Sequence, residues 1–168
     1  KDNWDFEPKG FCELGFRFPR LMSYYQSALN IPVLGYDVCK LSVDLGKSKG
    51  FDTREIDLNN FALGRCDINL EGVNMVVMYH VLEHLLAPHI FLNRLYEALP
   101  LMSICHFEVP IEKDSPRCES GHLFGFHPGD LSAYCKAAGF QVTGQSMKQI
   151  CTDVKWRESV VCAKVKGT

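Results

Sequence analysis

The stretch Gly10-Phe11-Cys12-Glu13-Leu14-Gly15-Phe16-Arg17-Phe18-Pro19 decides how this chain is read. Its opening is a short apolar run closed by a glycine, too brief for a helix and typical of a buried strand. Pro19 then suits the first turn of a helix, and Leu21, Tyr25 and Ala28 follow at helical spacing. A second apolar run, Val33–Tyr36, ends at Asp37. Strand, turn, helix and strand in under roughly thirty residues make one βαβ unit.

Working outward, the same alternation continues. Strand-like runs occur at Gly10–Leu14, Val33–Tyr36, Val73–Tyr79, Ser103–Val109 and Ser159–Val165, with weaker ones at Asp52–Ile56 and Phe140–Thr143. Helical patterns lie at Lys40–Lys49, Pro88–Leu99 and Pro128–Ala138, the last stopped by Gly139. This predicts an α/β fold over residues 1–168. It is a single doubly wound domain with a mostly parallel sheet, helices on both faces, and residues 1–9 as an amino-terminal extension. The longest irregular stretch, Pro110 to His127, is of the kind that covers a site.

Composition narrows the class. At 168 residues, 46% hydrophobic and 23% charged, the chain has the make-up of one globular domain rather than a disordered one. A net charge of −2 gives no basic footprint for tracking phosphates, which argues against a nucleic-acid partner. No apolar run approaches the roughly 20 residues of a membrane span. The chain does not begin with Met, so it reads as a processed product or an excised domain. None of its eight cysteines forms the C-x-x-C pairs of a zinc ribbon. Cys12, Cys105, Cys135 and Cys162 sit beside apolar residues and read as buried thiols in a reducing cytosol, which places the chain in the cytoplasm.

In an open α/β sheet, ligands bind outside the carboxyl ends of the strands, where strand order reverses. Gly15 and Asp37 close the first two strands, 22 residues apart, and an acid there can chelate two ribose hydroxyls. The plainer reading is a turn glycine and a helix-capping aspartate. A dinucleotide fingerprint needs further glycines to let backbone approach a pyrophosphate, and Arg17 and Pro19 stand in their place.

Four segments resemble the class I S-adenosylmethionine-dependent methyltransferases, especially the small-molecule branch containing the ubiquinone-biosynthesis O-methyltransferases. Phe11-Cys12-Glu13-Leu14-Gly15 looks like that family's first motif, and Leu34-Gly35-Tyr36-Asp37-Val38 like its second. Asn74-Met75-Val76-Val77-Met78-Tyr79-His80-Val81-Leu82-Glu83-His84-Leu85 is similar to that branch's fourth strand and its H-V-L-E-H-L signature. His122-Leu123-Phe124-Gly125-Phe126-His127-Pro128 with Ala138-Gly139-Phe140 is similar to a late segment. The resemblance implies a Rossmann-like, seven-stranded sheet with an antiparallel last strand, and S-adenosyl-L-methionine as cofactor. It implies that Glu13 and Gly15 approach the methionine part, Asp37 the ribose, Val38 the adenine and Asp57 its amine. Tyr79 and His80 would face the sulfonium and the nucleophile. The family pattern continues with glycines at the positions of Arg17 and Pro19.

The implied chemistry is in-line methyl transfer to a small-molecule acceptor such as a sugar or quinone precursor. Alignment and water exclusion would do most of the work, with a histidine as base for a hydroxyl nucleophile. His80 is the first candidate and His122 the second, with Glu83 orienting either; a backbone-bonded strand-end histidine and a plain loop histidine are the simpler readings. His80-Val81-Leu82-Glu83-His84 also fits H-x-x-E-H, an inverted zinc-peptidase motif, with Glu158 as a possible third ligand. That motif needs a sustained helix, and here it follows a strand, so no metal is expected. Some ubiquinone-pathway enzymes carry a carboxylate-and-histidine metal site in this segment, and His80 in place of a carboxylate argues against one here. The alternative function is a degenerate methyltransferase-like binding module without catalysis, because of Arg17 and Pro19. The first strand starts near residue 10, so a partner subunit or a missing segment would complete the acceptor site.

Overall fold

Phe11–Leu14 forms the first strand, β1, with all four residues buried, as a central strand covered on both faces must be. The computed structural model describes residues 6–111, 121–149 and 156–165. Helix α1 (Arg20–Leu29) leads to β2 (Val33–Asp37), α2 (Lys40–Ser48), β3 (Asp52–Glu55) and α3 (Leu58–Ala62). Then come β4 (Met75–Tyr79), α4 (Pro88–Ala98), β5 (Ser103–Ile111), α5 (Asp130–Ala137), β6 (Gln141–Gln149) and β7 (Trp156–Lys164). The sheet order is β3-β2-β1-β4-β5-β7-β6. Strands β1 to β5 pair in parallel, and β7 runs antiparallel between β5 and β6.

Alternate residues feed two cores. Phe11, Met22, Val33, Val43 and Val77 pack with Phe16 under α1 and α2. Cys12, Phe61, Phe91, Leu95, Phe107 and Leu131 belong to the larger core under α3, α4 and α5. Cys12, Cys105, Cys135 and Cys162 are buried free thiols, as expected.

Some boundaries differ from the expectation for physical reasons. Pro19 stands just before α1 rather than inside its first turn. The last helix begins at Asp130, not Pro128, because Gly129 takes a left-handed φ of 92° and Asp130 Oδ2 accepts from the His127 N–H. The expected strand Phe140–Thr143 extends to Gln149 as an edge strand whose residues are exposed or half-buried, so apolar alternation does not reveal it. Lys164 lies on β7, which is interior to the sheet. Its ammonium donates to the Tyr96 and Leu99 carbonyls, each at 2.7 Å, and so caps α4. No helix among the described residues is long and apolar enough to cross a membrane.

Candidate active site

Strand order reverses between β1 and β4, and a crevice of about 250 Å³ opens there. Four of the expected residues, Gly15, Asp37, Val38 and Asp57, line it together. Gly15 has φ +75°, and a Cβ on it would collide with the Val81 side chain across the crevice. Its N–H donates to the Tyr36 carbonyl at 2.7 Å, tying the turn to β2. A wider groove of about 610 Å³, bounded by Phe18, Arg20, Leu45 and Lys49, holds none of the expected site residues.

Asp37 is buried, and both of its oxygens are engaged. Oδ1 accepts from the Cys39 N–H at 2.7 Å and Oδ2 from the Arg17 N–H at 2.9 Å. Each carboxylate oxygen accepts two bonds, so one site on each remains for a further donor. Asp57 caps α3 through Oδ1, which accepts from the Asn59 N–H at 2.9 Å. Val38 is exposed on the crevice wall, with Ile56 and Leu85 facing the same space. Glu13 stands at the buried end of β1, outside the crevice lining. Burial pushes its carboxyl up to about 8, against the Met22 backbone N–H that favours the charged form. Its Oε2 has no hydrogen-bond partner among the described residues.

His80 follows β4 directly and has φ 56°, a strained value for a side-chain-bearing residue. Its Nδ1 lies 3.5 Å from Glu83 Oε1 and its Nε2 lies 3.2 Å from Glu108 Oε1. Glu83 foremost, with Glu108, raises its proton affinity above that of ordinary imidazole, against the opposing effect of partial burial. Arg157 Nη1 donates to the same Glu108 oxygen at 2.8 Å. Only Leu82–His84 is helical, as a single 3-10 turn, so His80 and His84 do not form the paired ligands of an inverted zinc-peptidase helix. Glu158 is elsewhere and occupied: it accepts from the Gly129 N–H and from Gln145 Nε2.

A different trio comes together instead. Ligand atoms of Glu83, His84 and His122 lie within 4.8 Å of one another. Glu83 is buried; its Oε1 has the long 3.5 Å ion-pair contact with His80 Nδ1, and its Oε2 has no hydrogen-bond partner among the described residues. His84 Nδ1 sits 2.7 Å from the Gly121 carbonyl, which turns Nε2 away from that bond. This donor set fits a divalent cation.

Tyr79 does not line the crevice. Its hydroxyl lies 2.6 Å from His106 Nδ1, and His106 Nε2 lies 2.6 Å from Ser159 Oγ. Sequence reasoning missed Val81, His106, Glu108, Arg157 and Ser159, and it weighed His84 only as a ligand within H-x-x-E-H. Only the polar residues alternating along β5, His106 and Glu108, carried a local signal.

No known family profile matches the sequence, and no curated protein does. Solved structures do resemble the fold. The cyclase SpnF matches with a TM-score of 0.78 at 11% identity, over 95% of this chain and 76% of that one. A methyltransferase of Haloferax volcanii, in complex with the activator Trm112, gives 0.76 at 12%, over 96% and 84%. An S-adenosylmethionine-dependent methyltransferase from Archaeoglobus fulgidus gives 0.70 at 13%, over 95% and 87%. The fold is that of the class I methyltransferases. At these identities the likeness is one of fold, and SpnF illustrates that this fold also serves a cyclase.

Proposed function

We propose that this chain binds S-adenosyl-L-methionine in the crevice and directs methyl transfer to a hydroxyl-bearing small molecule. One observation carries the reading: Gly15, Asp37, Val38 and Asp57, from three separate strand ends, converge on one crevice at the reversal of strand order. The residues fit the cofactor. Asp37 keeps an acceptor site on each oxygen for the ribose, Val38, Ile56 and Leu85 give an apolar slot for adenine, and Asp57 retains an oxygen for its amine. The buried, unpartnered Glu13 oxygen is an acceptor for the methionine ammonium.

The bound cofactor supplies a methyl group already activated by its sulfonium. The chain's own task is to orient the acceptor, exclude water and receive one proton. His80, held between Glu83 and Glu108, takes the proton of the acceptor hydroxyl as its oxygen gains the methyl carbon. The sulfur–carbon bond breaks with its electron pair left on sulfur. Glu83 orients His80; His122 is the second candidate base. The Glu83–His84–His122 trio supports a variant in which a divalent cation at the crevice edge holds the acceptor oxygen. A partner subunit over the rim would complete the acceptor site; the neighbour in complex with Trm112 supports the idea that a chain of this fold takes a partner.

The competing reading is a binding module without catalysis, favoured by the Arg17 N–H on Asp37. Calorimetry with S-adenosylmethionine and S-adenosylhomocysteine tests the proposal. Saturable binding of both is expected; no binding at millimolar concentration sinks the enzyme reading.

A further inference from the structure

We infer that Tyr79, His106 and Ser159 form the floor of the acceptor subsite, and that this floor receives a neutral molecule bearing several hydroxyls. The inference rests on the methyl-transfer reading and extends it to the class of acceptor.

The three side chains cross three strands on one face of the sheet. In register, Val77 pairs with His106, His106 with Val161, and Glu108 with both Tyr79 and Ser159. The opposite face of β5 and β7 supplies Cys105, Phe107, Val160 and Cys162 to the large core. Ile104, His106, Glu108, Ser159 and Val161 belong to neither core and remain half-buried. Among the described residues, α1 and α2 pack over β1, β2 and β3, so no helix covers β5 and β7 from this side. A polar strip inside a mostly parallel sheet departs from the usual apolar cover, and it leads straight into the site. Tyr79 is followed by His80 and then by Val81, which lines the crevice.

The chemistry of the strip selects its ligand. Burial lowers the His106 proton affinity, so the imidazole is neutral, and burial keeps the Tyr79 phenol protonated. The chain of hydroxyl, imidazole and hydroxyl is therefore uncharged, and both oxygens keep capacity for a further hydrogen bond. Of the neighbouring charges, Glu108 is shared between Arg157 and His80 through one oxygen. Lys148, in register with Arg157, stands on the exposed edge strand β6 beside the hydroxyl–imidazole–hydroxyl line rather than on it, so that line itself holds no cation for a phosphate. Buried polar groups also reject an apolar chain, which would leave them unpaired. Val161 and Ile104 flank the polar line, and Gly144 beside Val161 adds no side chain. Apolar patches between hydroxyl-binding groups match the ring of a sugar.

The test uses the full chain labelled at histidine, with and without S-adenosylhomocysteine. It is titrated with methyl α-D-glucopyranoside, inorganic phosphate or hexanol while the His106 resonances are followed. The glucoside is expected to move His106 saturably and the other two to leave it in place. Ser159→Ala and His106→Gln should each weaken the glucoside by about tenfold or more, with S-adenosylhomocysteine affinity retained. The inference is overturned if the glucoside leaves His106 unmoved, if phosphate or hexanol moves it as much, or if both variants bind the glucoside like the parent. Failure of S-adenosylhomocysteine to bind is a separate result, since the glucoside titration is also read without it.

Discussion

The Arg17 N–H donates to Asp37 Oδ2 at 2.9 Å, so the turn that departs most from the methyltransferase pattern is fastened to the acid expected to hold the ribose. Arg17 makes this bond from a left-handed φ of 38°, where a glycine would sit without strain. The departure therefore redirects the loop onto Asp37 rather than removing the crevice. Asp37→Ala releases two backbone donors, at Arg17 and Cys39, and should cost about 1–3 kcal/mol of stability. It should also abolish S-adenosylhomocysteine binding while the far-ultraviolet circular dichroism stays that of the parent. Unchanged affinity in this variant would place the ribose elsewhere.

Gly15 and Val81 set the width of the crevice between β1 and β4. Gly15→Ala adds a methyl group that meets Val81 and forces a positive φ on a residue that disfavours it. A loss of about 1–3 kcal/mol is expected, with cofactor affinity reduced. Gly15→Ala combined with Val81→Ala relieves the collision but not the backbone strain. Denaturant midpoints should show partial recovery in the double variant. Full recovery would mean the positive φ carries no cost.

Glu13 gives the pH dependence a sign. Its folded carboxyl titrates near 8, well above a free glutamate, because it is buried. The protonated form is thus favoured by folding. Its contribution to stability is complete below the unfolded value and is lost as pH rises towards 8. The parent should lose stability relative to Glu13→Gln across that window, which paired thermal melts at several pH values would measure. If the Glu13 oxygen receives the methionine ammonium, binding near neutral pH should release a proton, seen as a binding heat that varies with the buffer. A pH-independent difference between parent and variant would contradict the burial of this acid.

Much of this was legible along the chain because β1, β2 and β4 are central strands, and central strands write their burial as continuous apolar runs. The turn at Gly15 and the acid at Asp37 follow from the same strand ends. What escaped was set by register across the sheet. Tyr79 meets His106 and His106 meets Ser159 only because β5 lies between β4 and β7, and no local pattern encodes those neighbours. Helix α3 is too short to show a period, and Asp57, read as an adenine contact, turns out to be its cap as well. In H-x-x-E-H, letter spacing suggested paired histidines, but the positive φ of His80 and the 3-10 turn after it separate them.

Glu83, His84 and His122 set the last expectation, against the sequence reading of no metal. A buried carboxylate whose ion-pair contact, His80 Nδ1, lies as far as 3.5 Å gains from a cation that joins it. Two imidazoles and a carboxylate, with His84 oriented through the Gly121 carbonyl, suit zinc or cobalt better than magnesium. Added Co²⁺ should give the visible absorption of a protein-bound, low-coordinate ion, and Zn²⁺ should displace it and raise the melting temperature. His122→Ala should weaken Co²⁺ by about tenfold or more, whereas Glu158→Gln, at the amino end of α5, should not change it. A cobalt spectrum that stays that of the aqueous ion would remove the cation from this site and leave Glu83 with His80 as its ion-pair neighbour.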